Sequence, residues 1–431
     1  MSVALPKVVD YNEPMYSLPP NTQSFQVVCT PISGNAGNTQ NSQVDFDLGS
    51  RGFMDPKSLH IRYKVTSTSG ASVNYMIGTP YTAPFLRLST MINSQTVETI
   101  NNYNVVANML VNLTKDTAQK MGEQGAYGYL DDTTTPVTNE QTDGGTFASG
   151  GGTKSVSGPL YCALSSCEKL VPLFLLNGIR LTFTLDSAAN VFSSLDLAGA
   201  AVTNLASNFT ITNFEVVYNC IDFGDEVKNM VASMDRIRIK SQTWASSVQT
   251  LASGVIGQQN LIYNHKFSSV KALFLNMGGA NRAISANGNM DSYNIGGVAS
   301  DYSFNVAGIQ YPQKVLSCNL NYAGILQSLR QAIGSVFDKS NAMSINAIEW
   351  NRISSTVTSP TIPAKFWVAC STEKIKIAGS FFTGISTEAS PISAIINITT
   401  ATSQQHNVMM IVNADVVYEI DPQTKQVVVI Q

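Results

Sequence analysis

Residues Ile211 to Tyr218 read ITNFEVVY, and residues Ile411 to Tyr418 read IVNADVVY. Five of the eight positions are identical, and Glu215 is answered by Asp415. In the first copy Phe214, Val216 and Tyr218 alternate with Asn213 and Glu215, and in the second Ala414, Val416 and Tyr418 alternate with Asn413 and Asp415. That is the period-2 pattern of a strand with one face on a core. A match this short gains weight only if other landmarks recur upstream in the same order. One does. Asn102-Tyr103 opens a run with Val105, Val106, Met109, Leu110 and Leu113 at helical spacing, and Asn321-Tyr322 opens another with Ile325, Leu326, Leu329, Ile333 and Val336. The chain therefore reads as a duplication in which each half runs strands, Asn-Tyr, one helix, a polar excursion, strands and a closing VVY strand.

The composition agrees with two cores. A chain of 431 residues suits two domains of about 200 residues each. Only 13% of residues are charged against 44% hydrophobic, so the chain is globular and its surface is largely Ser, Thr, Asn and Gln. With 26 Lys and Arg against 29 Asp and Glu there is no basic stripe to neutralise phosphates, which argues against a specific nucleic-acid partner. A weakly charged polar surface is a poor colloidal stabiliser and suits a protein packed against neighbours. The opening MSVALPKVVDYNEPMYSLPP lacks a basic segment followed by an apolar one, and predicts a cytosolic product. The six cysteines are scattered and predict buried free thiols.

Taken in order, residues 1–22 are Pro-rich and read as an extended arm. Strand-like runs follow at Phe25 to Pro31, Val44 to Leu48, Leu59 to Ser67, Phe85 to Ile92 and Thr96 to Ile100, then a helix over about 102–114 with the Asn-Asn pair as its N-cap. Residues 115–158 read as a long surface excursion, and strands resume at Leu160 to Ala163, Leu170 to Leu176, Ile179 to Leu185 and 209–219. Residues 222–235 predict a connector helix with Val227, Met230, Val231 and Met234 on one face. The second half predicts strands at Ile237 to Thr243, Leu261 to Phe267, Val270 to Leu275, Tyr302 to Val306 and Lys314 to Ser317, with an excursion at 277–299. After its helix come Lys365 to Cys370, Ile375 to Phe382, Ile392 to Ile398 and 408–420. The expected domains are the arm 1–22, a first unit 23–221, the connector 222–235 and a second unit 236–431, all-β with a few helices.

The segments ETINNYNVVANML (98–110), GPLYCALSSCEKLVPLFLLNGIRLTFTL (158–185) and ITNFEVVYNCIDFG (211–224) resemble the double jelly-roll major capsid proteins of the adenovirus hexon and tailless phage lineage, above all those of virophages and Polinton-like viruses. The resemblance implies two tandem eight-stranded jelly rolls. It also implies a homotrimer whose six rolls form a pseudo-hexagonal block of an icosahedral shell, with penton and minor or cement proteins as partners and an internal membrane as a further candidate. Such a protein resides in the virion and is made in the host cytoplasm or a virus factory. The long tower insertions of the hexon have no counterpart here.

Chemical motifs are weak beside this. GTFASGGGTKS (145–155) imitates a phosphate loop, but Thr153 intrudes before Lys154 and no apolar strand precedes it, so it reads as a flexible loop. Cys162 and Cys167 lack a second pair for zinc, and Asp131, Asp132 and Asp143 lack EF-hand spacing. His60, His265 and His406 lie in or beside separate strand-like runs, with no nucleophile elbow in the sequence. Glu215 and Asp415 could form a glycosidase pair, but equivalent places in a repeat favour a structural role. The sequons at Asn112, Asn208 and Asn397 fall on a helix or strands, and Trp244, Trp350 and Trp367 predict core packing. No catalytic residue, cofactor or metal is expected. The alternative function is a tandem β-sandwich adhesin or carbohydrate-binding protein, which predicts exposed aromatics on a concave sheet.

Overall fold

The computed structural model describes residues 22–34, 37–68, 73–74, 80–123, 126–127, 146–147, 152–192, 208–279, 293–294, 299–318, 322–334, 350, 365–374, 382–399, 402 and 405–431. The first half contributes β1 (Gln23–Cys29), β2 (Gln43–Asp47), β3 (His60–Ser67), β4 (Phe85–Ile92), β5 (Gln95–Asn101), α1 (Tyr103–Thr114), β6 (Thr153–Pro159), β7 (Ile179–Leu185) and β8 (Phe209–Asp222). These strands form two antiparallel sheets of order β1-β8-β3-β6 and β2-β7-β4-β5, the first extended by short strands at Asn38–Thr39, Phe53–Met54 and Val171–Pro172.

After α2 (Asp225–Ala232) come β9 (Ile237–Leu251), β10 (Gly257–Tyr263), β11 (Val270–Gly279), β12 (Ala299–Val306), β13 (Ile309–Ser317), α3 (Tyr322–Ile333), β14 (Val368–Ser371), β15 (Ile392–Ile398) and β16 (His406–Ile420). Their sheets run β9-β16-β11-β14 and β10-β15-β12-β13, again antiparallel. Adding eight to each strand label of the first pair of sheets gives the second pair. Each half is thus an eight-stranded jelly roll, two four-stranded sheets face to face. A last strand, β17 (Val427–Ile430), pairs with the end of β16 and has no predicted counterpart.

The two quoted octapeptides occupy equivalent places, β8 and β16, each between the first and third strands of its sheet. Phe214 lies at the centre of the first core, its ring 4.8–5.6 Å from those of Phe46, Phe85, Phe183 and Tyr63. Asn213, at φ +50°, carries the bulge that shifts register between Thr212 and Glu215, and Asn adopts that left-handed geometry more readily than most residues. The second copy departs from the expected half-buried strand. From Val408 to Tyr418 every residue of β16 is buried, whichever face it is on.

Several expectations are corrected. Thr153–Pro159, read as part of a surface excursion, is β6, held by β3 across a full ladder. Gly158 is required there because a Cβ would come within 2.5 Å of the Tyr81 ring. Leu160 to Ala163 is irregular, and Leu170 to Leu176 is a two-residue strand followed by a 3₁₀ turn. The α1 N-cap, Asn102, makes no side-chain capping bond; it sits at φ +46°, and its carbonyl accepts from the amides of Val105 and Val106 instead. No residue of α2 is fully buried: of the apolar face predicted for the connector, Val227 and Val231 are half-buried, Val231 packing against the core, while Met230 and Met234 are exposed. The arm up to residue 21, the strand at 375–381 and most of both excursions lie outside the described residues.

Candidate functional surface

A cluster of buried polar groups lies where one roll meets the other. β9 is an edge strand of the second roll, and its free edge faces β5, an edge strand of the first. Glu98 on β5 is buried there. Its carboxylate accepts from Thr243 Oγ1 (2.6 Å), from the Ala163 amide (2.8 Å) and from the Trp244 amide. Ser241 and Ser246 donate from β9 to the carbonyls of Ala163 and Asn101, and the Glu168 amide donates to the Lys240 carbonyl at 3.0 Å. Farther along, Asn93 Nδ2 in the turn between β4 and β5 donates to the Lys425 carbonyl at 2.6 Å.

This seam caps a sheet edge. An open edge strand offers unpaired amides and carbonyls to any passing strand. Here the first roll supplies partners, with an acidic side chain taking the amide that a neighbouring strand would have taken. Burial pushes the Glu98 carboxyl up to about 7 against the pull of its three donors. Tyr418, at the end of the second octapeptide, is raised mainly by burial and further by Glu98, Cys167 and Cys162, which places it at this seam.

Glu215 and Asp415 are not brought together. Glu215 pairs with Arg62 on the neighbouring strand and is partly exposed. Asp415 is fully buried and accepts from Ser269 Oγ (2.7 Å), the Thr383 amide (3.1 Å) and Thr383 Oγ1 (3.3 Å), with Lys271 Nζ at 3.8 Å. The repeat gave them equivalent places, but they make different contacts.

The remaining sequence candidates also fall apart. Lys154, read as part of a flexible loop, is on β6 and fully buried, which corrects that reading for Thr153 and Lys154; residues 148–151 lie outside the described residues, as do Asp131, Asp132 and Asp143. Cys162 and Cys167 are buried free thiols pushed up to about 12 by burial, and Cys29, Cys220, Cys318 and Cys370 are buried and free as well. His60 Nδ1 meets the Ser58 carbonyl at 2.8 Å, His265 Nε2 meets Ser247 Oγ at 2.7 Å and is pushed down to about 4 by burial, and His406 is lowered by burial. Among the described residues no group of three or more His, Cys, Asp or Glu is placed to hold a metal, and no helix is long and apolar enough to cross a membrane. Asn112 is buried inside α1, while Asn208 and Asn397 are partly exposed on strand margins. Trp244, Trp350 and Trp367 are buried, and Phe382 is the one exposed aromatic among the described side chains.

Sequence reasoning missed Glu98 and its seam. In TVETIN it looks like any solvent-facing strand residue, and its partners stand some 60 to 150 residues away.

No protein-family model matches the sequence, and no curated protein matches it. Solved structures do. The Faustovirus major capsid protein superposes with a TM-score of 0.63 at 10% identity, over 96% of this chain and 92% of that one. A chain of the PBCV-1 virus capsid gives 0.60 at 14% identity, over 95% and 97%. A chain of the Sputnik virophage gives 0.58 at 11% identity, over 100% and 92%. The chain has the double jelly-roll fold of these Faustovirus, PBCV-1 and Sputnik capsid chains.

Proposed function

We propose that the chain is a major capsid protein that acts by assembly, without catalysis, as a homotrimer tiling an icosahedral shell. The observation that carries this reading is the repetition itself: two rolls of identical strand order, side by side, joined by a buried polar seam. Three such chains place six similar rolls about one axis, and a near-hexagonal block fills a plane. The fold shared with the Faustovirus, PBCV-1 and Sputnik chains supports it, as does a surface poor in charge. The adhesin reading needs a platform of exposed aromatics, and among the described side chains Phe382 alone is an exposed aromatic.

In this reading residues 1–22 are an arm available for contacts between blocks, 23–221 and 236–431 are the two rolls, and 222–235 is the connector. No catalytic, cofactor or metal site is assigned. Penton and minor or cement proteins complete the shell, an internal membrane is a candidate neighbour, and synthesis takes place in the host cytoplasm or a virus factory. Light scattering on the purified protein should give three times the 46.3 kDa chain mass, and negative-stain microscopy should give hexagonal blocks. A stable monomer at micromolar concentration overturns the proposal.

A further inference from the structure

Around Asp415 the second roll gathers an amine, a second carboxyl and three hydrogen-bond donors. The two oxygens of Asp415 stand in unlike surroundings. Oδ2 accepts from Ser269 Oγ (2.7 Å), the Thr383 amide (3.1 Å) and Thr383 Oγ1 (3.3 Å), whereas Oδ1 is buried with no hydrogen-bond partner among the described residues. Lys271 Nζ lies 3.8 Å from Oδ1 and 3.8 Å from Glu373 Oε1. The Asp415 side chain is 0% exposed and those of Lys271 and Glu373 only 19% and 14%, so the three groups are largely withdrawn from water. A plain ion pair is a poor account of them. Charge-assisted hydrogen bonds close to about 2.7–2.9 Å, and buried charges that stop short of such contact recover little of what their desolvation costs.

The backbone holds the group in place. Lys271 stands in the bulge of β11, between Val270 opposite Ala414 and Ala272 opposite Asn413, and a bulge re-aims the side chain it carries. The segment bearing Thr383 is pressed onto the same bulge. Val270 and Ile385 exchange both backbone hydrogen bonds, the Gly384 amide donates to Ser269 Oγ at 2.8 Å, and a Cβ on Gly384 would come within 2.0 Å of the Val270 carbonyl oxygen. Thr383 Oγ1 also donates to Glu373 Oε1 at 2.8 Å. The donors to Oδ2 are thus fixed in advance, which is the arrangement that stabilises charge on an oxygen during acyl transfer.

We propose that Lys271 and Asp415 condense in the folded chain into an isopeptide bond, with Glu373 relaying the protons. Lys271 Nζ attacks Asp415 Cγ, Oδ2 carries the developing negative charge among its three donors, and Oδ1, which has no hydrogen bond to lose, departs. The lysine ammonium gives up two protons in all, and Glu373 passes both to Oδ1. The ion pair therefore becomes one secondary amide and one water, with atoms and charge balanced and no oxidant or further reactant. Holding amine and carboxyl together supplies the proximity that such a condensation lacks in solution. The new bond joins β11 to β16 and is made once by the chain on itself, independently of the trimeric reading. Glu215, in the equivalent place of β8, is paired instead with Arg62, whose guanidinium stays protonated and is no nucleophile, so the bond is confined to the second roll.

Intact-mass spectrometry of the purified full-length chain, denatured, should give the sequence mass less one water, and trypsin should leave the peptide around Lys271 joined to that around Asp415. Lys271→Arg keeps the charge and should return its own full sequence mass. Freshly prepared Glu373→Gln should do the same, because a positioned proton carrier contributes about a hundredfold or more. Circular dichroism matching the wild type shows that each variant is folded. A wild-type chain at full sequence mass, or a lost water without the joined peptides, overturns the proposal. A lost water in Lys271→Arg overturns it too, and one in Glu373→Gln overturns the role given to Glu373.

Discussion

At the scale of single residues, Glu98 is a carboxyl that the seam buries and whose acidity the fold changes. The unfolded chain releases its proton near the ordinary carboxylate value of 4.5, while the folded chain holds it up to about 7. Between those values the folded state carries the extra proton, so stability from this site is greatest at low pH and falls as pH rises, by about 3 kcal/mol in all. His265, pushed down to about 4, acts in the opposite sense below pH 6.5. The difference between wild type and Glu98→Gln therefore isolates the site: melting temperatures measured from pH 5 to pH 8 should fall further in the wild type than in the variant. Parallel curves would show that Glu98 is ionised throughout. None of this was legible in the sequence, where a carboxylate on a strand looks the same whether it faces water or another domain.

At the scale of elements, β8 and β16 show how a repeat diverges. Their acidic residues occupy the same place, yet Glu215 forms a part-exposed ion pair and Asp415 ties β16 to the 383–384 segment across the third strand of its sheet. Glu215→Ala should cost under about 1 kcal/mol. Asp415→Ala leaves buried donors on Ser269 and Thr383 unmet and should cost about 3 kcal/mol or more, read by urea titration. Equal losses would mean that the buried contacts carry nothing special.

The same scale shows what could be read in advance. Phe85–Ile92, Ile179–Leu185 and Ile392–Ile398 match their sequence runs residue for residue, because alternation of apolar side chains and the strand are there the same fact. β6 was missed because TKSVSGP has weak strand propensity; its place is set by the β3 ladder and by Tyr81 lying on bare Gly158. α1 was found from its apolar spacing although it is buried all round, its polar positions Asn104, Asn108 and Asn112 being spaced four apart and bonded inside: Asn104 to Asp186 at 3.1 Å, Asn112 to Asn108 at 3.3 Å.

At the scale of the whole molecule, the buried apolar side chains of both rolls form one continuous cluster, and the seam runs through it. Two domains that share a core melt together. Scanning calorimetry should give one transition for the wild type, and Thr243→Val combined with Ser246→Ala, which strips the seam of two donors, should separate it into two. Two transitions in the wild type would mean that the rolls are coupled only through α2.

The place of β9 also bears on time. A ribosome finishes β9 about 150 residues before it begins β16, the strand that β9 pairs with, an interval of roughly 10–30 s at ordinary rates of synthesis. During that interval fifteen residues of nascent strand have no sheet to join. The first roll is complete by then, and its β5 edge, with Glu98 in place, offers the outer edge of β9 the same partners it has in the finished chain, while the edge that awaits β16 is still open.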